Sequence, residues 1–276
     1  MIGLAEQLDL ARTALFVPGN RPERFPKASA SGAHLVVLDL EDAVPAAEKQ
    51  AARDHVARWL AEGNTCAVRV NAAGTRWYAE DVAAVSAHEC VVLVPKAEHP
   101  EALRDLAASL ATSSRLLALV ETAHGVLRAP EIAAVDGVAR LVFGSFDLAA
   151  QLGVSPDDRL AMAPARGALV LASAAAGIAP PMDGVTAAVD DLARVRDDAE
   201  HGRRLGFSGK LCIHPRQVST VDEAMRPEDA EIAWATSILE SAGDDGVSVV
   251  NGQMIDRPVV ERARRILRSG SEVTIR

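Results

Sequence analysis

Eight short apolar runs, separated by segments of helical pattern, are the feature that most constrains the fold of this chain. The runs cover residues 13–17, 35–38, 67–70, 91–94, 116–120, 140–143, 177–182 and 210–213. Continuous apolar runs are typical of parallel strands that are buried on both faces. Strands that alternate with helices predict a parallel sheet, and eight such units predict closure into a (β/α)8 TIM barrel.

The segments between the runs repeat apolar residues at helical period and predict α-helices. They cover residues 46–60, 79–86, 100–110, 126–134 and 190–205. The alternative is an open doubly wound sheet, which usually has a Gly-x-Gly-x-x-Gly turn after its first strand. Here that turn is Pro18-Gly19-Asn20-Arg21-Pro22, which favours the barrel. We expect the barrel in residues 1–228 and a C-terminal helical extension, serving as a lid or oligomer arm, in residues 229–276.

Composition and charge argue against several classes of protein. The chain carries a net charge of −9 with only 3% aromatic residues and has no basic run, so a nucleic-acid partner is not expected. No apolar segment reaches the roughly 20 residues of a membrane span, and the N-terminus does not have the pattern of a signal peptide. The three cysteines lack Cys-x-x-Cys spacing, which predicts buried thiols in a cytoplasmic protein.

Charged residues follow the predicted strands at their carboxyl ends, where barrel active sites lie. Glu121 and Asp147 follow successive strands, and two carboxylates suit Mg²⁺, with Mn²⁺ tolerated. Arg69 ends the third strand and is expected to bind a carboxylate or to stabilise an enolate oxygen. In a purely structural alternative, the two acids cap helices or pair with Arg69 and Lys96.

Three acids crowd the end of the second strand in the run Asp39-Leu40-Glu41-Asp42. Such crowding is costly without nearby cations. The run could hold metal-bound water, orient Arg69 or cap the next helix, and Arg69 could form a structural ion pair with Glu41 or Asp42.

Two loops at the same end are candidates for a phosphate-bearing ligand. His214 and Pro215 follow the eighth strand, where barrel loops often bind phosphate. The basic stretch at residues 20–27, with Arg24 and Lys27, follows the first strand. An ordinary loop histidine and a solvated basic surface are the alternatives.

Together these segments resemble the citrate lyase beta subunit family, which is grouped with the HpcH/HpaI aldolases. The most specific motifs are Leu-Asp-Leu-Glu-Asp-Ala-Val at residues 38–44 and Cys-Ile-His-Pro at residues 212–215. Further matching segments are 15–20, 68–71, 94–98, 120–122, 143–144, 147–148, 206–218 and 252–258. The resemblance covers nearly the whole chain.

The resemblance implies a magnesium-dependent lyase, usually a homotrimer or hexamer, that cleaves or forms a carbon–carbon bond between an acetyl thioester and a 2-oxo acid. By position, Glu121 and Asp147 are the metal ligands, and Asp256 is an acid of a C-terminal lid that reaches a neighbouring subunit's site. The candidate catalytic residues are Arg69, Asp256 and Glu41. The candidate substrate-binding residues are Arg69, Glu121, Gly144 and Ser145.

Coenzyme A is expected as part of the substrate, held by Arg24 and Lys27 in the first-strand loop and by His214 and Pro215. The candidate substrates are malyl-CoA, citramalyl-CoA and citryl-CoA. Many family members have Glu directly before the second metal-binding Asp, whereas this chain has Phe146, which bears on the shape of the substrate pocket. The alternatives are a coenzyme A-independent HpcH-type aldolase acting on free 2-oxo acids and a citrate lyase subunit that works with an acyl carrier protein.

Overall fold

The computed structural model describes residues 4–241, 248–250 and 253–270. Eight parallel strands pair in chain order, and the first pairs with the last to close a barrel. They are β1 Thr13–Pro18, β2 Leu35–Asp39, β3 Ala67–Arg69, β4 Val91–Val94, β5 Arg115–Val120, β6 Val138–Phe143, β7 Ala179–Asp183 and β8 Gly209–Cys212. The predicted TIM barrel is therefore confirmed.

Helices surround the barrel; the first precedes β1, and the others follow the strands. They are α1 Leu4–Leu10, α2 Phe25–Ser29, α3 Lys49–Ala61, α4 Tyr78–Ser86, α5 Pro100–Ser109, α6 Ala123–Leu127, α7 Ala129–Ala133, α8 Ser145–Leu152, α9 Arg159–Ala176, α10 Leu192–Leu205 and α11 Pro215–Met225. Short 3₁₀ turns at Pro22–Arg24 and Ala46–Glu48 precede α2 and α3. Within the described ranges, no helix is both long enough and apolar enough to cross a bilayer.

Apolar residues fill both faces of the strands, which is why the strands appear in the sequence as continuous runs. In β2, Val36 and Leu38 belong to the core between the sheet and the helices, whereas Leu35 and Val37 belong to the core inside the barrel. The three cysteines are buried free thiols, as predicted.

Two helical regions differ from the sequence prediction. The predicted helix 126–134 is two short helices, α6 and α7, which are separated at Arg128. The 18-residue α9 lies in an Ala-rich region for which no helix is predicted. It begins where the Asp158 carboxylate accepts the main-chain N–H groups of Leu160 and Ala161, and it ends at Gly177 with a φ of 70°.

The C-terminal extension contains α12 Asp229–Ser241, the hairpin strands β9 Ser248–Val250 and β10 Gln253–Ile255, and α13 Arg257–Ser269. A small apolar core holds α12 and α13 together through Ala235, Ile238, Ile255 and Ala263. The carbonyl of Ser269 accepts a hydrogen bond of 2.9 Å from Arg12, which precedes β1. The end of α13 is therefore attached to the amino-terminal side of the barrel, while the predicted division at residue 228 stays a prediction.

Arg140 lies fully buried inside the barrel, although its strand is otherwise apolar. Its guanidinium donates to the main-chain carbonyls of Leu8 at 3.1 Å, Ala11 at 2.6 Å and Pro180 at 2.5 Å. It also donates to the hydroxyl of Ser208 at 2.6 Å. One side chain thus joins α1, which closes the amino-terminal end of the barrel, to the region of β7 and β8.

We expect Arg140→Ala to lower the free energy of unfolding by about 3 kcal/mol, because it leaves several buried carbonyls without a donor. Urea denaturation followed by circular dichroism measures this change. The matched control is Arg58→Ala on the exposed face of α3, where a surface substitution costs at most about 0.5 kcal/mol. Equal midpoints for the two variants would show that the Arg140 contacts do not stabilise the fold.

Candidate active site

A cavity of about 240 Å³ opens at the carboxyl end of the barrel. Its charged lining comes from Asp39, Asp42, Arg69, Glu121 and Asp147. Its uncharged lining comes from Phe16, Ala43, Leu119, Phe143, Gly144, Ser145, Phe146, Val185, Leu211 and Ile213. The structure therefore brings Arg69, Glu121 and Asp147 to one cavity, together with Gly144 and Ser145.

Asp39 and Arg69 end the neighbouring strands β2 and β3 and are partners in their register. Arg69 donates through Nε and Nη2 to the two carboxylate oxygens of Asp39, at 2.7 and 2.6 Å. The ring of Phe16 lies 5.0 Å from the guanidinium carbon. These contacts fix the plane of the guanidinium and leave N–H groups for other acceptors, since arginine has five.

Glu41 links this pair to Lys96. Its Oε2 lies 3.0 Å from Arg69 Nη1, and its Oε1 accepts a hydrogen bond of 3.0 Å from Lys96 Nζ. Lys96 Nζ is also 3.9 Å from both Glu121 Oε1 and Asp147 Oδ2. One lysine therefore stands among three carboxylates that come from different loops.

The backbone of Lys96 is unusual. Among the non-glycine residues that the structure describes, Lys96 is the one with a positive φ, at 47°. This conformation is uncommon for a side-chain-bearing residue and typically marks a functional or strained position. The main-chain N–H of Lys96 donates to Glu121 Oε1 at 2.8 Å. The turn after β4 thereby orients the carboxylate that follows β5.

Glu121 is buried, with 4% of its surface exposed, whereas the Asp147 side chain is about half exposed. Burial raises the pKa of Glu121 to about 8, and the nearby carboxylates of Glu41 and Asp147 add to the increase. A bound cation would favour the ionised form of this group.

The donor set fits a hard divalent cation. The ion-paired group contains four carboxylates, Asp39, Glu41, Glu121 and Asp147, but only two cationic side chains, Arg69 and Lys96. With all four carboxylates ionised the group carries two negative charges in excess, and its free donor atoms are carboxylate oxygens. Oxygen donors of this kind are the ligands that Mg²⁺ prefers.

Gly144 provides the space that Glu121 occupies. A Cβ atom at position 144 would lie 2.3 Å from Glu121 Cβ and 2.7 Å from Glu121 Oε2. These separations are too short for any real contact, so a larger residue requires the carboxylate to move. Ser145, the next residue, is buried at the start of α8, and Phe146 is 39% exposed at the cavity wall.

The predicted coenzyme A residues lie on two adjacent loops. Arg24 and Lys27 are exposed, in the 3₁₀ turn and helix after β1. His214 caps α11, where its Nδ1 accepts the N–H of Arg216 at 3.2 Å, and Pro215 is the first residue of that helix. Because β1 and β8 are neighbours in the barrel, the two loops begin side by side.

Asp256 lies apart from this cavity in the described chain. Its carboxylate caps α13 by accepting the N–H of Val259 at 3.2 Å, and it is not among the residues that line the cavity. A single subunit therefore does not bring Asp256 to Arg69 and Glu121.

A buried lysine that supports the site has no recognisable signal in the sequence. Lys49 Nζ donates to the carbonyls of Leu40 at 2.6 Å and Glu41 at 2.7 Å, and to Asn71 Oδ1 at 2.7 Å. These bonds hold the turn that carries the acids after β2. In the sequence Lys49 resembles any lysine on an amphipathic helix, so pattern alone does not identify it.

Asp183 shows that a charged residue at a strand end need not reach the cavity. It ends β7, but its carboxylate accepts a hydrogen bond of 3.0 Å from Arg166 on α9 and from its neighbour's main chain. It is buried and does not line the cavity, so its charge is used for packing α9 against the barrel.

Comparison with known proteins agrees with this architecture. The HpcH/HpaI aldolase/citrate lyase family matches residues 12–215. The citrate lyase subunit beta-like protein of Mycobacterium tuberculosis is 37% identical over 268 residues, covering 94% of this chain and 96% of that protein. A (3S)-malyl-CoA thioesterase of Cereibacter sphaeroides is 35% identical over 275 residues, covering 96% of each chain.

A solved structure of a relative also matches this chain over nearly its whole length. The crystal structure of CitE from M. tuberculosis, in complex with magnesium, acetoacetate and coenzyme A, has a TM-score of 0.81 at 36% identity. The alignment covers 95% of this chain and 100% of that one. The predicted enzyme class and cofactors are confirmed at the level of the family. The chain belongs to the HpcH/HpaI aldolase/citrate lyase family.

Proposed function

We propose that this protein is a magnesium-dependent lyase that cleaves or forms the carbon–carbon bond of a 3-hydroxyacyl-CoA. Malyl-CoA, citramalyl-CoA and citryl-CoA are the candidate substrates, and the products of cleavage are an acetyl thioester and a 2-oxo acid. The observation that carries this proposal is that a fixed arginine and two carboxylates suited to magnesium line the same cavity. The magnesium, acetoacetate and coenzyme A held by the M. tuberculosis relative support it.

Glu121 and Asp147 are the proposed metal ligands, with Mn²⁺ as a substitute ion. When bound, Mg²⁺ supplies a Lewis acid that favours ionisation of a substrate hydroxyl. Lys96 orients Glu121 through its main-chain N–H and contributes positive charge beside both ligands.

Arg69 is the proposed catalytic cation. Its N–H groups that face neither Asp39 nor Glu41 can bind the substrate carboxylate and stabilise the enolate oxygen that forms when the carbon–carbon bond breaks. Glu41 touches both Arg69 and Lys96, so we propose that it positions these two cations.

The uncharged part of the cavity supports an acyl thioester as the second part of the substrate. Val185, Leu211 and Ile213 line it on the side of β7 and β8. The loops with Arg24, Lys27, His214 and Pro215 begin at this side, which supports their predicted role in holding coenzyme A. Phe146 adds an apolar surface beside Asp147, which favours the methyl group of citramalyl-CoA over the extra carboxylate of citryl-CoA.

Hydrolysis of the thioester is a second candidate function, because the C. sphaeroides relative is named a (3S)-malyl-CoA thioesterase. The two reactions differ in their products: a lyase releases acetyl-CoA and a 2-oxo acid, whereas a thioesterase releases free coenzyme A. Activity on free 2-oxo acids would instead favour the HpcH-type aldolase, and activity only with acyl carrier protein would favour the complex-bound subunit. Cytoplasmic location remains a proposal, supported by the three buried free thiols.

We expect EDTA-sensitive release of 2-oxo acid and acetyl-CoA when the purified protein receives Mg²⁺ and malyl-, citramalyl- or citryl-CoA. Arg69→Ala should lower kcat about 10²–10³-fold, because one oxyanion donor is lost. Glu121→Gln and Asp147→Asn should abolish turnover. Chromatography of the acyl-CoA products, with a thiol reagent for free coenzyme A, distinguishes cleavage from hydrolysis. Free coenzyme A as the sole thioester-derived product would replace the lyase with the thioesterase.

We expect Gly144→Ala to weaken Mn²⁺ binding strongly, because its methyl group displaces Glu121. Paramagnetic resonance of Mn²⁺ measures the affinity, and circular dichroism verifies the fold. Gly167→Ala is the matched control, since nothing lies within 4 Å of a Cβ at this position of α9. It should bind Mn²⁺ normally and gain up to about 1 kcal/mol of stability from helix propensity. Equal Mn²⁺ affinities in the two variants would argue against Glu121 as a ligand.

We expect Asp256→Ala to lose turnover while keeping Mn²⁺ affinity, because a lid acid from a neighbouring subunit acts on substrate rather than on the metal. Coexpression with Glu121→Ala tests the predicted oligomer. If the lid acts between subunits, random mixed oligomers contain about a quarter intact sites and recover activity that neither parent has. No recovery in mixed oligomers, or full activity of Asp256→Ala alone, would contradict the lid role.

A further inference from the structure

Outside the cavity, a second cluster carries the donors of a different kind of metal. Glu98 and His99 follow β4, and His124 lies in α6, which follows β5. Glu98 Oε2 is 3.6 Å from His124 Nδ1 and 3.9 Å from His99 Nε2. One donor atom of each residue lies within 4.8 Å of the other two.

We propose that Glu98, His99 and His124 form a second metal site, separate from the catalytic carboxylates and selective for Zn²⁺ or a similar late transition-metal ion. Two imidazoles and one carboxylate are typical zinc ligands, and water completes such a site. The catalytic pair offers oxygen alone, which suits Mg²⁺. The donor types therefore separate the two ions.

The distances are close to those of a bound ion. Zinc bonds of about 2.0–2.2 Å place neighbouring donors in a tetrahedral site roughly 3.3–3.6 Å apart. The two donor separations from Glu98 are 3.6 and 3.9 Å, so small side-chain rotations would complete the site. The side chains of His99 and His124 are 56% and 52% exposed, which allows an ion to enter from solvent.

A second carboxylate lies behind one of the two histidines. Glu101 Oε1 lies 3.5 Å from His99 Nδ1, and this leaves Nε2 on the side of Glu98. A carboxylate behind a ligating histidine fixes its tautomer and raises its basicity. The hydroxyl of Thr122 lowers the pKa of Glu98 below its ordinary value, which keeps this carboxylate ionised.

The guanidinium of Arg128, which lies beside this set, is already paired with carboxylates. Arg128 donates to the main-chain carbonyl of Glu98 at 3.3 Å. Its Nη2 and Nε donate to Glu131 Oε2 at 2.6 and 3.0 Å, and Nη2 also lies 3.8 Å from Glu101 Oε2, so two carboxylates compensate its charge. Arg128 thereby holds the Glu98 backbone in place.

An ion at this site would join two loops that also serve the cavity. The loop after β4 carries Lys96, two residues before Glu98, and the segment after β5 carries Glu121, three residues before His124. Zinc would restrict the movement of these loops relative to each other. Zinc binding at this site would therefore affect the position of the catalytic carboxylate of Glu121.

Calorimetric titration of untagged protein with Zn²⁺ tests the proposal. The titration uses the Asp147→Asn protein, in which one of the two proposed catalytic metal ligands is removed. Zinc that binds to this protein is then not held by the catalytic pair. We expect one equivalent of Zn²⁺ to bind in this background and to be lost in His99→Ala and in His124→Ala. His88→Ala, which removes a partly exposed histidine elsewhere, is the matched control and should bind normally.

Co²⁺ gives a second readout, because its visible absorption reports imidazole ligation and a tetrahedral geometry. Glu101→Gln should weaken Zn²⁺ binding about tenfold, as expected when the partner of a ligating histidine is lost. Circular dichroism verifies that each variant is folded. Zinc binding that persists when both histidines are replaced, or that is absent from the Asp147→Asn protein, would overturn the proposal.

Discussion

The bidentate ion pair between Asp39 and Arg69 determines the arrangement of the whole active-site end. These residues end adjacent strands in register, so the barrel itself fixes the distance between them. Two aligned hydrogen bonds of 2.6 and 2.7 Å help to offset the cost of removing both charges from water. Arg69 in turn permits Glu41 to be buried 3.0 Å away, and Glu41 accepts a hydrogen bond from Lys96. The chain of charges ends at Glu121, where a divalent cation would favour the ionised carboxylate.

The barrel could be predicted from the sequence because burial on both faces produces continuous apolar runs. The strand-end rule then identified Arg69, Glu121 and Asp147, since each follows or ends such a run. The same rule does not exclude Asp183, which also ends a strand, although its side chain pairs with Arg166. Neither the alternation of side chains along a strand nor the position of the strand's end reveals which side chain a carboxylate will contact.

Other features were outside the reach of pattern analysis for a different reason. Arg140 and Lys49 are buried cations whose partners are mainly main-chain carbonyls, and carbonyls carry no side-chain signal. The long α9 is Ala-rich and lacks the charged face that makes a surface helix easy to recognise. The sequence therefore indicates where charge is present more readily than how it is compensated.

The division of the cavity into a charged and an apolar half follows from where the barrel uses its charged residues. On β2 and β3 the terminal charges remain at the mouth, whereas on β7 and β8 Asp183 and Lys210 are buried in structural contacts. The side near β7 and β8 is consequently left to apolar residues. A substrate with a carboxylate at one end and an acyl thioester at the other has only one orientation that matches this division. In that orientation the thioester lies nearest the loops that follow β1 and β8, and the carboxylate lies at Arg69.

An acid that protonates the enolate would have to approach from the open mouth. Because Asp256 does not line the cavity of its own chain, the proposed role of Asp256 would need a second subunit, and oligomer formation would then be part of catalysis.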